Sequence, residues 1–155
     1  MINTKFQEID TDGDLKEIIQ SAFDVALNVD GGWGYSQNSA LIIYKTSFPL
    51  EQLQHTLASM RAHLEMSMTQ PKEKRYGAIN VNEIKREQIT TDIRKYDIIT
   101  FEVSGMLEEV YTAFIQEYKD GQDSADFDVS DHFKRRKKET LIRQEIFWFD
   151  ISDIT

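Results

Sequence analysis

No uninterrupted apolar run in this chain is longer than the five residues 40–44, Ala-Leu-Ile-Ile-Tyr. That is far short of the roughly 20 residues that span a bilayer. Every element must therefore hide one face and wet the other, and the fold has to be assembled by pairing those faces. With no cysteine, no disulfide framework, Cys-based zinc site or thiol nucleophile substitutes for that packing. Apolar material suffices, since 41 of 155 residues are Leu, Ile, Val or Phe, above the roughly 20% floor beneath which chains stay disordered. The length fits one domain over residues 1–155. Residues 1–5 carry no charged-then-apolar signal pattern, so the expectation is a mature cytoplasmic chain. A net charge of −9 disfavours nucleic acid and anionic membranes as partners.

Turn signals divide the chain into short elements. Residues 3–9 read as a weak strand, and the acidic turn at 10–14 favours the positive end of a following helix. Leu15, Ile18, Ile19, Ala22, Phe23 and Ala26 share one face of that helix. After a break at 30–32, residues 40–44 read as a strand buried on both faces. Pro49 fits the first turn of a second helix striped by Leu50, Leu53, Leu57, Met60 and Leu64, which Gln70-Pro71 ends. A strand within 76–91 and another over 96–103 are joined by a hairpin turn at 92–95. A third helix spans 106–119, with Leu107, Val110, Tyr111, Phe114, Ile115 and Tyr118 on one face and Gly121 as its cap. A polar loop over 123–131 follows, then a short basic helix capped by Ser130, then a β-branched and aromatic strand over 140–151.

The order from residue 40 onward is β-α-β-β-α-β. The expected fold class is α+β: a mainly antiparallel sheet of four to six strands with helices on one face. That element order is ferredoxin-like, with a strand and helix added at the N-terminus.

The least ordinary stretch is 29–38, where Gly32, Trp33, Gly34 and Tyr35 combine unusual backbone freedom with stacking surface. It lacks the lysine of a phosphate loop, and a helix precedes it where a dinucleotide fingerprint needs a strand. The two readings are a ligand-binding loop and a turn in which Trp33 plugs the core. Three histidines stand apart. His55 and His63 are eight residues apart on one helix, too far for a chelating pair, and His132 precedes a cationic run. The Asp10, Asp12, Asp14 cluster fails the calcium-loop pattern at its sixth and twelfth positions, Leu15 and Ser21. No metal, cofactor or catalytic set is assigned.

Residues 134–138 hold five of the 18 basic residues. His132, Lys134, Arg135 and Arg136 are thus candidate anion-binding residues, unless the run is simply a solvated helix face. Arg86 and Gln88 share one side of their strand, Glu102 lies opposite Phe101 and Val103, and Arg143 and Glu145 alternate with Gln144 and Ile146, an arrangement that would set these polar residues on the sheet face away from the helices. There they would line a small polar site, with Arg143 and Glu145 as ligand candidates, or pair across strands; His55, on the second helix, is a further ligand candidate. His55, Ala58, Ala62 and Met66 form a second, small-residue stripe on helix two, a candidate docking face.

These features lead to a non-catalytic binding or regulatory protein, holding a small molecule or a protein partner and dimerising through its open sheet face. Inhibitor- and immunity-type proteins belong to this class. The alternatives are a small enzyme with His55 or His132 as acid/base and Arg135, Arg136 or Arg143 as anion clamp, and a nucleic-acid binder through the basic run.

Overall fold

The computed structural model describes residues 6–11 and 13–154. Helix α1 (Leu15–Phe23) starts on Asp14, whose carboxylate accepts the Lys16 N–H at 2.9 Å. It ends where Asp24 turns left-handed at φ 54° and returns its N–H to the Gln20 carbonyl, three residues before Leu27 and so short of the expected Ala26. Strand β1 (Val29–Gly31) lies where a break was expected. Residues 6–9 belong to no strand, and the rest of that expected element, 3–5, lies outside the described residues.

Strand β2 (Leu41–Ile43) buries Leu41 and Ile43 while Ile42 is half-buried, so it alternates and is not buried on both faces. Helix α2 (Leu50–His63) follows Pro49 and continues into one wide π-helical turn, Leu64–Met68, stopping before Gln70-Pro71. Strands β3 (Tyr76–Thr90) and β4 (Lys95–Leu107) form a long hairpin closed by the Thr91 N–H on the Arg94 carbonyl at 2.8 Å. Helix α3 (Glu108–Gly121) begins two residues later than its apolar spacing implied. Helix α4 (Val129–Glu139) is capped by Asp128, not Ser130, through an Asp131 N–H bond of 3.0 Å. Strand β5 (Leu141–Asp150) completes the set.

The strands form one mixed five-stranded sheet in the order β1-β2-β5-β4-β3, parallel between β2 and β5 and antiparallel elsewhere. The chain has the β-α-β-β-α-β sequence of elements with an extra helix, but not the ferredoxin-like spatial order, which would seat β2 beside β4. The physical reason lies in the connection. Helices α3 and α4 make a hairpin that leaves β4 and returns at the same end of the sheet, where Gly105 pairs with Leu141. Strand β5 therefore comes back antiparallel beside β4 instead of crossing past β2.

One sheet face is covered. Leu15 and Ile19 of α1 and Leu53, Leu57, Ala58, Met60, Ala62, Leu64 and Met66 of α2 and its last turn bury against Ile99, Phe101, Val103, Phe147 and Phe149. The Ala58, Ala62 and Met66 stripe is thus core, not a docking face, because the helix is buried over most of its girth; His55 alone of that stripe is exposed. The register also reverses the expected placement of most polar strand residues. Arg86, Gln88, Arg143 and Glu145 share the face of Ile99, Phe101 and Phe147 and point toward α2. Only Glu102 of that set lies on the uncovered face, beside Gln144 and Asn82.

Gly34, at φ +83°, lies against β5, and an added Cβ would stand 2.8 Å from the Trp148 carbonyl oxygen. Gly34→Ala is expected to cost about 2 kcal/mol through backbone strain and this overlap. Gly13→Ala, at φ +152° with nothing within 4 Å of its Cβ, carries backbone strain without the overlap and should cost less; paired urea denaturation curves check both.

Candidate functional site

The 29–38 loop is built into the sheet. Gly32 donates to the Ala40 carbonyl at 3.2 Å, Gly34 donates to Ser39 at 2.7 Å, and Trp148 N–H returns to the Gly34 carbonyl at 2.8 Å. Trp33 is 1% exposed, so it plugs the core. Gly32, Trp33 and Gly34 therefore serve close backbone approach and offer no surface to a ligand. Tyr35, half-buried, leads from the loop to the most unusual chemistry in the molecule.

That chemistry centres on two residues the sequence reading missed, Arg61 and Glu65, one helical turn apart and both at most 2% exposed. The Arg61 guanidinium lies between two rings, 4.0 Å from the Tyr35 centroid and 3.5 Å from that of Phe147. Its Nη1 donates to the Trp33 carbonyl at 3.2 Å, and its Nη2 to the Ile146 carbonyl at 3.4 Å. Glu65 stands 3.6 Å from Arg61 Nε, accepts the Tyr35 hydroxyl at 2.5 Å, and stands 3.1 Å from Arg143 Nη1. Arg143 in turn donates to Glu145 at 2.9 Å, and Glu145 lies 3.7 Å from Arg61. Two cations and two anions thus close a neutral ring linking α2, β5 and the 29–38 loop. Burial lowers the Arg61 pKa, with Glu65 opposing it; burial and the Glu65 carboxylate raise that of the Tyr35 hydroxyl. The signal for Arg61 was present, since it falls between Leu57 and Leu64 on the buried stripe of α2.

A second polar cluster sits at the other end of α2. Gln54 donates to Asp97 at 2.8 Å, Gln88 donates to Asp97 at 3.0 Å, and Arg86 bridges Gln54, Asp97 and Glu83. Each partner completes another, so both clusters pin α2 to the sheet.

The α3–α4 hairpin has its own small core. The His132 ring is fully buried among Phe114, Tyr118, Phe127 and Phe133. Its Nδ1 donates to Glu117, and its Nε2 has no partner. Arg135 donates to Glu117 at 3.0 and 2.8 Å and to Asp131 at 2.9 Å. The Arg135 bonds first, then His132, hold the Glu117 carboxyl down at about 2. The basic run is therefore divided. Arg135 is internally paired, Arg136 stacks 5.3 Å over Phe133, and Lys134 stays exposed, as do Lys137 and Lys138. His55 Nε2 donates to the Val81 carbonyl at 2.7 Å, and His55 lines with Phe23, Ser59, Met60 and His63 an open cleft of about 320 Å³ between α1 and α2.

The candidates thus fall in three places. Trp33, Tyr35, Arg143 and Glu145 come together around Arg61 and Glu65; His132, Arg135 and Arg136 belong to the helical hairpin; His55 stands alone over β3. Among the described residues, no group of three or more His, Asp or Glu side chains is placed to hold a metal ion, and no helix is long and apolar enough to cross a membrane. Comparison with family models, curated proteins and solved structures gives no match to this chain.

Glu65→Gln leaves Arg61 and Arg143 with the half-buried Glu145 as the one anion of the ring and is expected to cost about 3 kcal/mol in a denaturant titration. The hairpin should be acid-sensitive. Glu117 has a folded pKa below its ordinary 4.5, so its contribution is complete above 4.5 and is lost as pH falls toward about 2. Tyr118 and His132 ring resonances, followed by NMR through that window, should shift before the Trp33 signals of the main core.

Proposed function

We propose that the chain is a non-catalytic binding protein that works through protein–protein contact, and that the uncovered face of its sheet pairs with a second copy. The observation that carries this reading is the face itself. Ile142 and Ile146 are 56% and 51% exposed and continue along β5 to Trp148, which pairs with Ile98 of β4, while Ile89 of β3 pairs with Tyr96 on the same face. A β-branched and aromatic strip of this kind is costly to leave in water and suits packing against another sheet.

Charge supports a second copy as the occupant. The whole chain carries −9, so like copies repel. On β3, β4 and β5 this face carries Lys85, Glu87 and Glu102 near its centre, with Lys85 Nζ 2.9 Å from Glu87. The face thus carries both signs of charge, which lets two copies meet with opposite charges opposed. Among the described residues the His132–Glu117 pair comes nearest to an oriented general base, yet aromatic rings wall its Nε2, so the acid/base reading has less behind it. The cytoplasmic location belongs to the same reading.

The test is sedimentation velocity on the unaltered chain and on Ile146→Glu. A concentration-dependent dimer that becomes a folded monomer in the variant supports the proposal. A monomer at high micromolar concentration for the unaltered chain overturns it, as does a dimer indifferent to Ile146→Glu and Ile142→Glu together.

A further inference from the structure

Residues 6–9 lie over the Arg61–Glu65 cluster without joining any helix or strand. They are held by side-chain recognition. The Phe6 ring meets Tyr76 edge-on, 5.5 Å between centroids, and receives the Arg143 guanidinium at 4.6 Å. The Ile9 N–H donates to the Tyr35 hydroxyl at 3.0 Å, and that hydroxyl donates onward to Glu65 at 2.5 Å. Phe6 and Ile9 both pack against the main core while Gln7 and Glu8 are exposed. A backbone N–H read by a fixed hydroxyl, with two apolar side chains three positions apart seated in the surface, is how a groove binds an extended peptide. Beneath the segment the groove is already organised: Arg143 is held by Glu65 and Glu145, and Tyr35 is fixed by Glu65 and stacked on Arg61.

We propose that this surface is a docking groove for an extended peptide segment of a partner protein, and that the chain's own residues 6–9 fill it as an intramolecular ligand. The partner segment carries an aromatic residue and, three positions later, a branched aliphatic residue with a free backbone N–H. The aromatic covers Arg143 and Tyr76, and the N–H reaches Tyr35. The tethered segment competes at high effective concentration, so a partner engages only when it outbids the resident segment or when that segment is drawn away. This surface lies on the helix-covered side of the sheet, distinct from the face proposed for pairing.

The experiment uses the full chain carrying Phe6→Ala and Ile9→Ala, with a fluorescent peptide of the sequence of residues 6–11 as probe, read by anisotropy. The variant should bind the peptide saturably, and the unaltered chain should bind it roughly tenfold or more weakly. Replacing the peptide's Phe by Ala, or N-methylating its Ile amide, should each weaken binding by roughly tenfold. Ile146→Glu added to the chain should leave the peptide affinity unchanged. A folded variant that ignores the peptide, or peptide changes without effect, overturns the proposal. So does a dimer of the unaltered chain that disappears in Phe6→Ala/Ile9→Ala, which would assign the groove to exchange between copies. If the double variant fails to fold, amide exchange on the unaltered chain decides: excess peptide should accelerate exchange at Ile9, and no change overturns the proposal.

Discussion

The Arg61–Glu65 pair is the interaction on which the arrangement of this molecule depends. Two ionised groups at most 2% exposed survive because each finds both a counter-charge and dipolar partners. Those partners come from three places: the Trp33 and Ile146 carbonyls, the Tyr35 hydroxyl, and the side chains of Arg143 and Glu145. The pair therefore fixes the rotation of α2, the path of the glycine loop and the register of β5 together. A shift of β5 by one residue would turn Arg143 and Glu145 to solvent and leave Arg61 and Glu65 facing Gln144 and Ile146. Such polar contacts add less to net stability than an apolar core of equal volume. Their value lies in specifying one arrangement.

The ring of charges also explains why the glycine loop looks functional in sequence and is structural in three dimensions. Gly31 and Gly34 take positive φ angles of 82° and 83°, which lets the chain reverse beside β5 and bring the Trp33 carbonyl within reach of Arg61. Of the two loop aromatics that seemed to offer a stacking surface, Trp33 fills the core and Tyr35 joins Phe147 in sandwiching a guanidinium. A loop rich in Gly, Trp and Tyr can thus hold one of the molecule's own cations in the way another loop would hold a ligand.

How much was legible follows from what kind of force sets each feature. Helix and strand positions follow local periodicity and turn chemistry, and α1, α2, the β3–β4 hairpin, α3 and β5 fall near their expected places. Strand order depends on where a connection returns, which no local pattern encodes; the 106–139 segment read equally well as a crossover. The facing of Arg86, Gln88, Arg143 and Glu145 inverted because polar residues were assigned outward, whereas here they face α2 and meet complementary partners. Tyr35, Arg143 and Glu145 were singled out and do meet. Arg61 and Glu65, which bring them together, lay on the leucine stripe of α2, where a charge is read as an interruption unless its partner in a distant strand is known.

The α3–α4 hairpin leaves β4 and re-enters at β5 where those strands are already neighbours, and its aromatic cluster around His132 is separate from the main core. Helix α3 rests on β3 and β4, while the cluster's rings pack among themselves. A tight turn between residues 105 and 141 would join the same two strands. The hairpin is thus an appendage on the sheet, able to loosen as a unit while the main core stays closed.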